Sequence, residues 1–273
     1  MTLIPLDLVD LALAATLILL NAALSIWLRL GLARQILIAA LRMGIQLWLL
    51  GLVLAYLFEL TSPALTGAAA LVMIGFAGFE VFSRQSRPIR GLWTYGLGTG
   101  TMLLAGGLVT VFALTALVAP APWYDPRFAL PLLGMVLGNT MTGIALGLDS
   151  LSGLAVRERA AIEARLCLGA TRAAALRPVL RDAARTGMIP IVNSMAATGL
   201  VAIPGMMTGQ ILAGAAPMEA IKYQLLIMCL IAGGTSLGVF LSVVGMAAFL
   251  SDSRHRLRLD RLRPAKPAPD APG

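Results

Sequence analysis

The sequence has few charged residues. Only 12% of its 273 residues are Asp, Glu, Lys or Arg, whereas a soluble domain carries about 25%. Hydrophobic residues make up 59% of the chain, and several apolar runs reach the roughly 20 residues that a helix needs to cross a bilayer. These runs are too continuous for a membrane β-barrel, whose strands alternate over about 10 residues. The composition therefore excludes a soluble protein and predicts an all-α, polytopic integral membrane protein.

Lysine, histidine and cysteine are also scarce, and each scarcity excludes a kind of site. The two lysines, Lys222 and Lys266, do not fit the phosphate-binding loop of an ATPase. The single histidine, His255, lies near the C-terminus, so no histidine metal site is expected within the membrane and the metal ligands stay unassigned. Cys167 and Cys229 provide no disulfide framework. Because no catalytic set is visible either, the sequence predicts a protein that is not an enzyme.

Seven apolar spans can be recognised along the chain. They cover about 8–28, 36–57, 64–82, 96–118, 129–148, 188–213 and 223–250. These spans predict a transmembrane domain over 1–250, with a cytoplasmic insertion at about 156–187 between the fifth span and the sixth. Residues 251–273 are expected to form a basic and then proline-rich cytoplasmic tail that is disordered.

Basic residues alternate between the connections. Two, three and seven arginines follow the first, third and fifth spans, and six basic residues follow the seventh. The alternate connections together hold only Arg127 and Lys222. Because Lys and Arg are retained on the cytoplasmic side, the N-terminus is expected outside and the C-terminus in the cytoplasm. No Lys or Arg precedes Arg29, so the first span does not resemble a signal peptide and is expected to be retained. The net charge of +8 is attributed to this topology rather than to a nucleic-acid partner.

The insertion is strongly basic although both of its neighbouring spans are apolar. It is expected to form two short helices separated by a turn at Gly169, with Thr171 capping the second helix and Pro178 kinking or restarting it. Three arginines recur at every fourth position and predict an amphipathic helix, namely Arg177, Arg181 and Arg185. The pattern by itself leaves two interpretations open, a helix lying on anionic lipid and a docking element for another protein.

One motif in the insertion resembles a known docking element. Glu163-Ala164 is followed by Gly169, six residues after the glutamate, and then by Ala170-Thr171. This pattern is similar to the cytoplasmic coupling motif of ABC-transporter permeases. The resemblance implies that these residues contact a separate ATPase subunit, which binds ATP and Mg itself, and that the permease forms a homodimer. The chain itself is then expected to bind no cofactor.

Four stretches of the chain, most of them outside the insertion, restrict the resemblance to one family of permeases. Residues 42–47, 137–141, 168–171 and 189–214 resemble the iron-export permeases of the FetB type, a UPF0014-like family whose plant relatives contribute to aluminium tolerance. The similarity extends over nearly the whole chain up to about residue 250. It implies export of iron across the inner membrane, and hence a role in metal homeostasis, by a permease that uses ATP hydrolysed by its partner.

Polar residues and interrupted helices within the spans mark a candidate translocation pathway. A charge inside a span is costly. Pro204-Gly205 is expected to interrupt the sixth span near its middle, and broken helices often frame transport sites. The candidates are Arg42, Gln46, Asn139, Thr140, Asn193, Met195, Pro204, Gly205, Met206, Met207 and Gln210. Each also has a structural interpretation: an arginine near the interface extends its charge into water, polar groups bond between helices, and methionines fill gaps in the packing.

Other functions remain compatible with the residues alone. An ATP-independent channel or secondary carrier is one, although the carboxylates expected for proton coupling are scarce within the spans. A second is an ABC permease for another solute, such as a nucleotide sugar. A membrane-embedded hydrolase ranks last because it lacks a candidate catalytic set.

Overall fold

A computed structural model describes residues 7–252, 254 and 256–264. These residues form helices joined by short connections, with isolated β-bridges and no strand among them. The helices are α1 (Leu8–Trp27), α2 (Ala33–Leu60), α3 (Pro63–Ser83), α4 (Trp93–Leu117), α5 (Pro126–Arg157), α6 (Arg159–Cys167), α7 (Arg172–Ala197), α8 (Gly205–Leu212) and α9 (Pro217–Phe249). The prediction of an all-α, polytopic membrane protein is confirmed.

Six helices in the described part of the chain, α1 to α5 and α9, are long and apolar enough to cross a membrane. The sixth span expected from the sequence, 188–213, is not one helix. α7 ends at Ala197 and α8 begins only at Gly205. Gly199 between them has a φ of +93°, and Pro204 has no N–H group with which to continue a helix. The chain therefore leaves helical geometry within an apolar stretch.

α7 joins two elements that the sequence predicted separately. Its 26 residues contain both the basic second helix of the insertion and the first part of the expected sixth span. The helix does not restart at Pro178, because it continues through Pro178 and Pro190. The insertion is thus a short helix, a turn and the charged end of a long helix.

The described residues up to Leu60 form a compact unit of their own, the hairpin of α1 and α2. Asp7 caps α1, and the Asp10 carboxylate accepts a hydrogen bond of 3.0 Å from the Asp7 N–H group. At the turn, the Ser25 hydroxyl oxygen accepts a hydrogen bond of 3.0 Å from the Leu32 N–H group. Most apolar side chains of both helices are exposed, which suits contact with lipid because lipid tails are as apolar as leucine.

From Thr61 onward the described residues form a second compact unit, and its centre is the packing of α5, α7 and α9. Glycines allow these helices to approach closely. A Cβ atom on Gly187 of α7 would lie 2.7 Å from the carbonyl oxygen of Gly143 on α5. A Cβ atom on Gly238 of α9 would lie 2.6 Å from Thr140 Cγ2 on α5. Small residues at such crossings increase the van der Waals contact that holds membrane helices together.

The first part of the C-terminal tail belongs to this second unit and packs against its helices. Leu262 is buried and pairs with Ile89 in an antiparallel bridge. The Arg90 N–H group donates a hydrogen bond of 2.8 Å to the Arg261 carbonyl oxygen. The disorder expected for the tail therefore does not extend to 256–264, because an apolar side chain is buried there and backbone groups are paired. The proline-rich remainder lies outside the described residues.

Two side-chain contacts fix this segment. The Arg258 guanidinium donates hydrogen bonds of 2.9 Å to both carboxylate oxygens of Asp260 and lowers the pKa of that carboxyl to about 2. The pair therefore stays ionised at neutral pH. Arg261 donates from Nη1 to the Phe249 carbonyl oxygen at the end of α9, and its guanidinium lies 4.8 Å from the centroid of the Phe249 ring. Cation–π contacts of this kind are favourable.

Candidate functional site

The first candidate site is the connection between α5 and α7, which we call the linker element (residues 158–171). Its helix α6 is held mainly by Ile162, which is fully buried in the main hydrophobic cluster, and Leu166 packs partly buried against the same cluster. Ala164 is exposed, and Glu163 is half-exposed. The Glu163 carboxylate accepts a hydrogen bond of 2.8 Å from Arg159 Nε one turn earlier. α6 therefore presents a polar face while it is anchored by the opposite one.

A tight turn ends α6. Gly169 has a φ of +88°, a left-handed conformation that glycine adopts without steric cost. The Gly169 N–H group donates to the Leu166 carbonyl oxygen, and the Ala170 N–H group donates to the Arg165 carbonyl oxygen, each over 3.0 Å. This is the Schellman arrangement, which satisfies the last carbonyl groups of a helix. It leaves Leu168 at the tip of the turn with 88% of its surface exposed.

α7 begins directly after this turn. The Thr171 hydroxyl oxygen accepts a hydrogen bond of 3.3 Å from the Ala174 N–H group, so the predicted helix cap is confirmed. Arg165 of α6 donates from Nη1 to the Ala175 carbonyl oxygen over 3.3 Å, which ties α6 to the first turn of α7. The five candidate coupling residues thus lie on one short, well-defined surface element, namely Glu163, Ala164, Gly169, Ala170 and Thr171.

The charged half of α7 is amphipathic, as predicted. Leu176 and Ala183 are buried and Leu180 is half-buried. The opposite face carries the three exposed arginines at positions 177, 181 and 185. Because its apolar face packs into the core of the second unit, this half of α7 is part of the folded structure and not a loose basic arm.

The candidate pathway residues are only partly brought together. Arg42 and Gln46 are exposed on α2, in the first unit. Asn139 is exposed and donates its amide to the Met135 carbonyl oxygen of its own helix over 2.9 Å. Thr140 is buried, and its hydroxyl oxygen lies 3.5 Å from that of Thr235 on α9. This contact is the interhelical hydrogen bond that the structural interpretation expected.

Other candidates of the pathway lie near the break that follows α7. Asn193 and Met195 are exposed on the last turns of α7. Pro204 is the cap of α8 and Gly205 is its first residue. Met207 is half-buried in the first turn of α8. None of these five side chains lines the cavity described next.

The second candidate site is a cavity of about 540 Å³, which we call the α8 cavity. It includes two of the predicted residues, Met206 and Gln210, which lie one turn apart on α8 and therefore face the same way. Its other walls are the end of α4, the first turns of α5 and the first turns of α9. The remaining lining residues are Leu114, Val118, Arg127, Phe128, Pro131, Leu132, Met135, Tyr223, Leu226 and Ile227.

Sequence reasoning missed most of this cavity. Arg127 and Tyr223 lie far apart in sequence, and no local pattern relates the ends of the helices that carry them. The available signal was Asp125-Pro126 before Arg127, which marks the start of a helix in the structure: the Asp125 carboxylate accepts a hydrogen bond of 2.9 Å from the Arg127 N–H group. That signal places Arg127 on the first turn of α5 but does not say what it faces.

The polar groups of the α8 cavity are few. The Oε1 atom of Gln210 is buried and has no hydrogen-bond partner within the described part of the chain. Arg127 carries the only charge among the lining residues. Over 7–252, 254 and 256–264, no three His, Cys, Asp or Glu side chains are grouped so that they could hold a metal ion.

Together these features define a multi-pass helical membrane protein with an exposed linker element and a cavity beside α8. The comparisons with known proteins agree with this class. The model of the family described as "Uncharacterised protein family (UPF0014)" matches residues 8–250. The chain belongs to this family, and the resemblance stated from the sequence is confirmed.

Three relatives illustrate the range of the family. A UPF0014 membrane protein of Synechocystis is 37% identical, over 78% of this chain and 82% of its own length. The "Probable iron export permease protein FetB" of Escherichia coli is 30% identical, over 93% of this chain and 96% of its own length. "Protein ALUMINUM SENSITIVE 3" of Arabidopsis thaliana is 32% identical, over 82% of this chain and 80% of its own length. No solved structure matches the chain.

Proposed function

We propose that this chain is the membrane-spanning permease subunit of an ABC transporter that exports iron. Two copies pair with a cytoplasmic ATPase subunit, which binds ATP and Mg and supplies the energy. The linker element docks on that subunit. In this arrangement the linker element and the C-terminus lie in the cytoplasm, the N-terminus lies outside, and the spans cross the cell's inner membrane.

The observation that carries this proposal is the geometry of the linker element. α6 is anchored by the buried Ile162 and tied to α7 by Arg165, whereas Leu168 projects almost fully exposed from the turn. An exposed leucine on a hydrogen-bonded turn is suited to insertion into a pocket of a protein partner, where an apolar anchor contributes most of the binding energy. Because α5 and α7 leave the element on either side, a displacement of the turn is passed directly to two long helices.

The proposal that the cargo is iron is supported by the name of a similar protein and not by metal ligands identified in the structure. The E. coli protein that is named a probable iron export permease aligns over almost its entire length. Among the described residues, no group of three His, Cys, Asp or Glu side chains could hold a metal ion. In this proposal iron is the cargo.

The proposal is tested by reconstitution. The purified permease is placed in vesicles with a candidate partner ABC ATPase from the same organism, and two quantities are measured: ATP hydrolysis, and ATP-dependent movement of Fe²⁺ in inverted vesicles. We expect the permease to bind the ATPase and change its hydrolysis rate, and Fe²⁺ to accumulate only when ATP is hydrolysed.

A matched pair of variants locates the contact. Leu168→Glu places a charge at the tip of the turn and is expected to weaken binding to the ATPase by about tenfold or more, as for the loss of a central anchor. Leu92→Glu changes a leucine that is 78% exposed on the connection before α4 and serves as the control. Equal binding of both variants, or Fe²⁺ movement without any ATPase, would contradict the proposal and favour an ATP-independent channel.

A further inference from the structure

We propose that three arginines of α7 bind an acidic surface of the ATPase subunit. We call them the arginine stripe (Arg177, Arg181 and Arg185). The inference rests on the proposed function and deepens it, because it names the chemistry by which the partner subunit is recognised. The stripe is an electrostatic contact, in addition to the apolar contact proposed for Leu168.

The stripe lies on one face of a helix whose opposite face is buried. Its residues are four positions apart, so they project from the same side of α7, and all three are exposed. On the opposite side, Val179 and Ala183 are fully buried in the main hydrophobic cluster. The packing of α7 therefore fixes the side toward which the stripe faces, and a partner would meet the three charges together.

The charges of the stripe are not paired within the described part of the chain. None of its guanidinium groups forms a salt bridge there. Asp182 is the only acidic residue of α7, and it forms no salt bridge with the stripe either, so this face carries a net positive charge. Because like charges four residues apart on a helix repel each other, acidic groups of a partner would remove an unfavourable interaction.

The shape of this face suits the side chains of a protein partner. The stripe lines a groove of about 640 Å³ together with Ala174, Pro178 and Asp182. Because all of these residues belong to one helix, the groove is open to one side and does not enclose a small molecule. Ala174 and Pro178 have short side chains, which leaves room beside the guanidinium groups. A guanidinium group binds a carboxylate with two parallel hydrogen bonds.

Contacts between helices indicate where α7 leaves the membrane. The candidate span α3 ends three residues before Ser86, and the Ser86 N–H group donates a hydrogen bond of 2.7 Å to the Asp149 carboxylate on α5. The next residue of α5, Ser150, has its hydroxyl oxygen 3.4 Å from that of Thr186 on α7. Thr186 is therefore level with the end of a membrane span, and the stripe begins at the preceding residue.

The direction of α7 favours a protein over a lipid surface. α7 runs antiparallel to α5, since an added Cβ atom on Gly143 would lie 3.0 Å from the Gly187 carbonyl oxygen and one on Gly147 would lie 3.6 Å from the Ala183 carbonyl oxygen. The stripe is about 12 Å long, whereas the headgroup layer on one side of a bilayer is about 5–8 Å thick. Lipid headgroups therefore contact only the Arg185 end, whereas a protein can contact the whole stripe.

The stripe is continuous with the linker element. Thr171, the last residue of that element, caps the helix that carries the stripe. About 21 Å of helix separate Thr171 from Arg185. A protein interface of ordinary size buries about 800 Å² on each partner, which corresponds to a patch roughly 30 Å across. One surface of the ATPase subunit can therefore contact Leu168 and the stripe together.

The proposal is tested by the rate and affinity with which a candidate partner ABC ATPase from the same organism binds the permease in nanodiscs of zwitterionic lipid, at several salt concentrations. In the stripe variant all three residues are changed, Arg177→Gln, Arg181→Gln and Arg185→Gln. We expect its binding at low salt to be weaker by about tenfold or more and to depend less on salt, because charges at an interface accelerate association and are screened by ions.

A matched variant controls for the loss of charge. Arg90→Gln, Arg254→Gln and Arg263→Gln together remove three exposed arginines outside α7 and are expected to leave binding as in the parent. Glutamine favours helices about as well as arginine does, so the stripe variant should fold, and thermal unfolding in detergent checks this. If the stripe variant binds like the control while Leu168→Glu weakens binding, the stripe is not a contact and docking of the linker element stands. If the parent binds no ATPase, both proposals fail.

A lipid arm decides the remaining alternative. The parent and the stripe variant are placed in nanodiscs that contain phosphatidylglycerol, and the lipids that stay bound are counted by native mass spectrometry. We expect equal numbers, because the stripe extends away from the membrane. Loss of bound phosphatidylglycerol from the stripe variant, together with unchanged binding of the ATPase, would assign the stripe to an anionic lipid and overturn the proposal.

Discussion

At the scale of single residues, the turn at Gly169 depends on one backbone conformation. Open space surrounds the position, since an added Cβ atom would meet no atom within 4 Å. The only obstacle to another residue is the φ of +88°, which costs an L-amino acid other than glycine about 1–2 kcal/mol. A substitution at Gly169 therefore tests whether docking depends on the backbone geometry of the turn, without the complication of a steric clash.

We expect Gly169→Ala to loosen the turn and to reduce stimulation of the partner ATPase, while the protein remains inserted and folded. Gly169→Asn should have a smaller effect, because asparagine tolerates left-handed geometry. Gly91→Ala is the matched control: Gly91 has a φ of +76° and equally open surroundings, but it lies outside the linker element. ATP hydrolysis by the reconstituted pair is measured. Normal stimulation by Gly169→Ala would count against the docking role.

At the scale of helices, the second unit is held by close backbone approach. Gly143 of α5 contacts α7 and α9 together: an added Cβ atom would lie 3.0 Å from the Gly187 carbonyl oxygen and 2.9 Å from Thr235 Cγ2. Neither a carbonyl group of a packed helix nor a buried threonine can move away easily. The crossing is therefore sensitive to a single added methyl group.

Gly143→Ala is predicted to destabilise the protein by about 1–3 kcal/mol, as overpacking of a close-packed core does. Gly138→Ala, on the same helix but with no atom within 4 Å of its added Cβ, should be neutral or slightly stabilising because alanine favours helices. Thermal unfolding in mild detergent compares the two. Equal melting temperatures for both variants would show that the crossing at Gly143 has room for an added methyl group, which would contradict the prediction.

The helices also show how far sequence reasoning extends. Long apolar runs identify α1 to α5 and α9 because hydropathy over 20 residues reports burial in lipid. The interruption of the sixth span was expected at Pro204-Gly205 and is present, but the helix already ends at Ala197. The earlier end was missed because Leu200 and Val201 are apolar and keep the hydropathy high. The linker turn could be predicted because its geometry is local to Gly169, whereas the α8 cavity could not, because Arg127 and Tyr223 meet only through the tertiary packing.

At the scale of the whole molecule, the proposed orientation can be read with a natural cysteine. Cys167 is exposed at the end of α6, and Cys229 lies within the apolar helix α9. With the linker element in the cytoplasm, a membrane-impermeant maleimide should label Cys167 in inverted vesicles and not in intact cells. Cys167→Ser removes the signal and is the control. Labelling of Cys167 in intact cells would reverse the assigned topology.

The contact between Gly143 and Gly187 also divides α7 into two arms of unequal length. At 1.5 Å per residue, about 22 Å of helix separate Arg172 from Gly187, and about 15 Å separate Gly187 from Ala197. A rod that tilts on such a fulcrum moves its short arm in the opposite direction and by about two thirds of the distance. A displacement of the charged end of α7 would thus cause a smaller displacement in the opposite direction at the break before α8. α8 is the helix whose Met206 and Gln210 line the cavity.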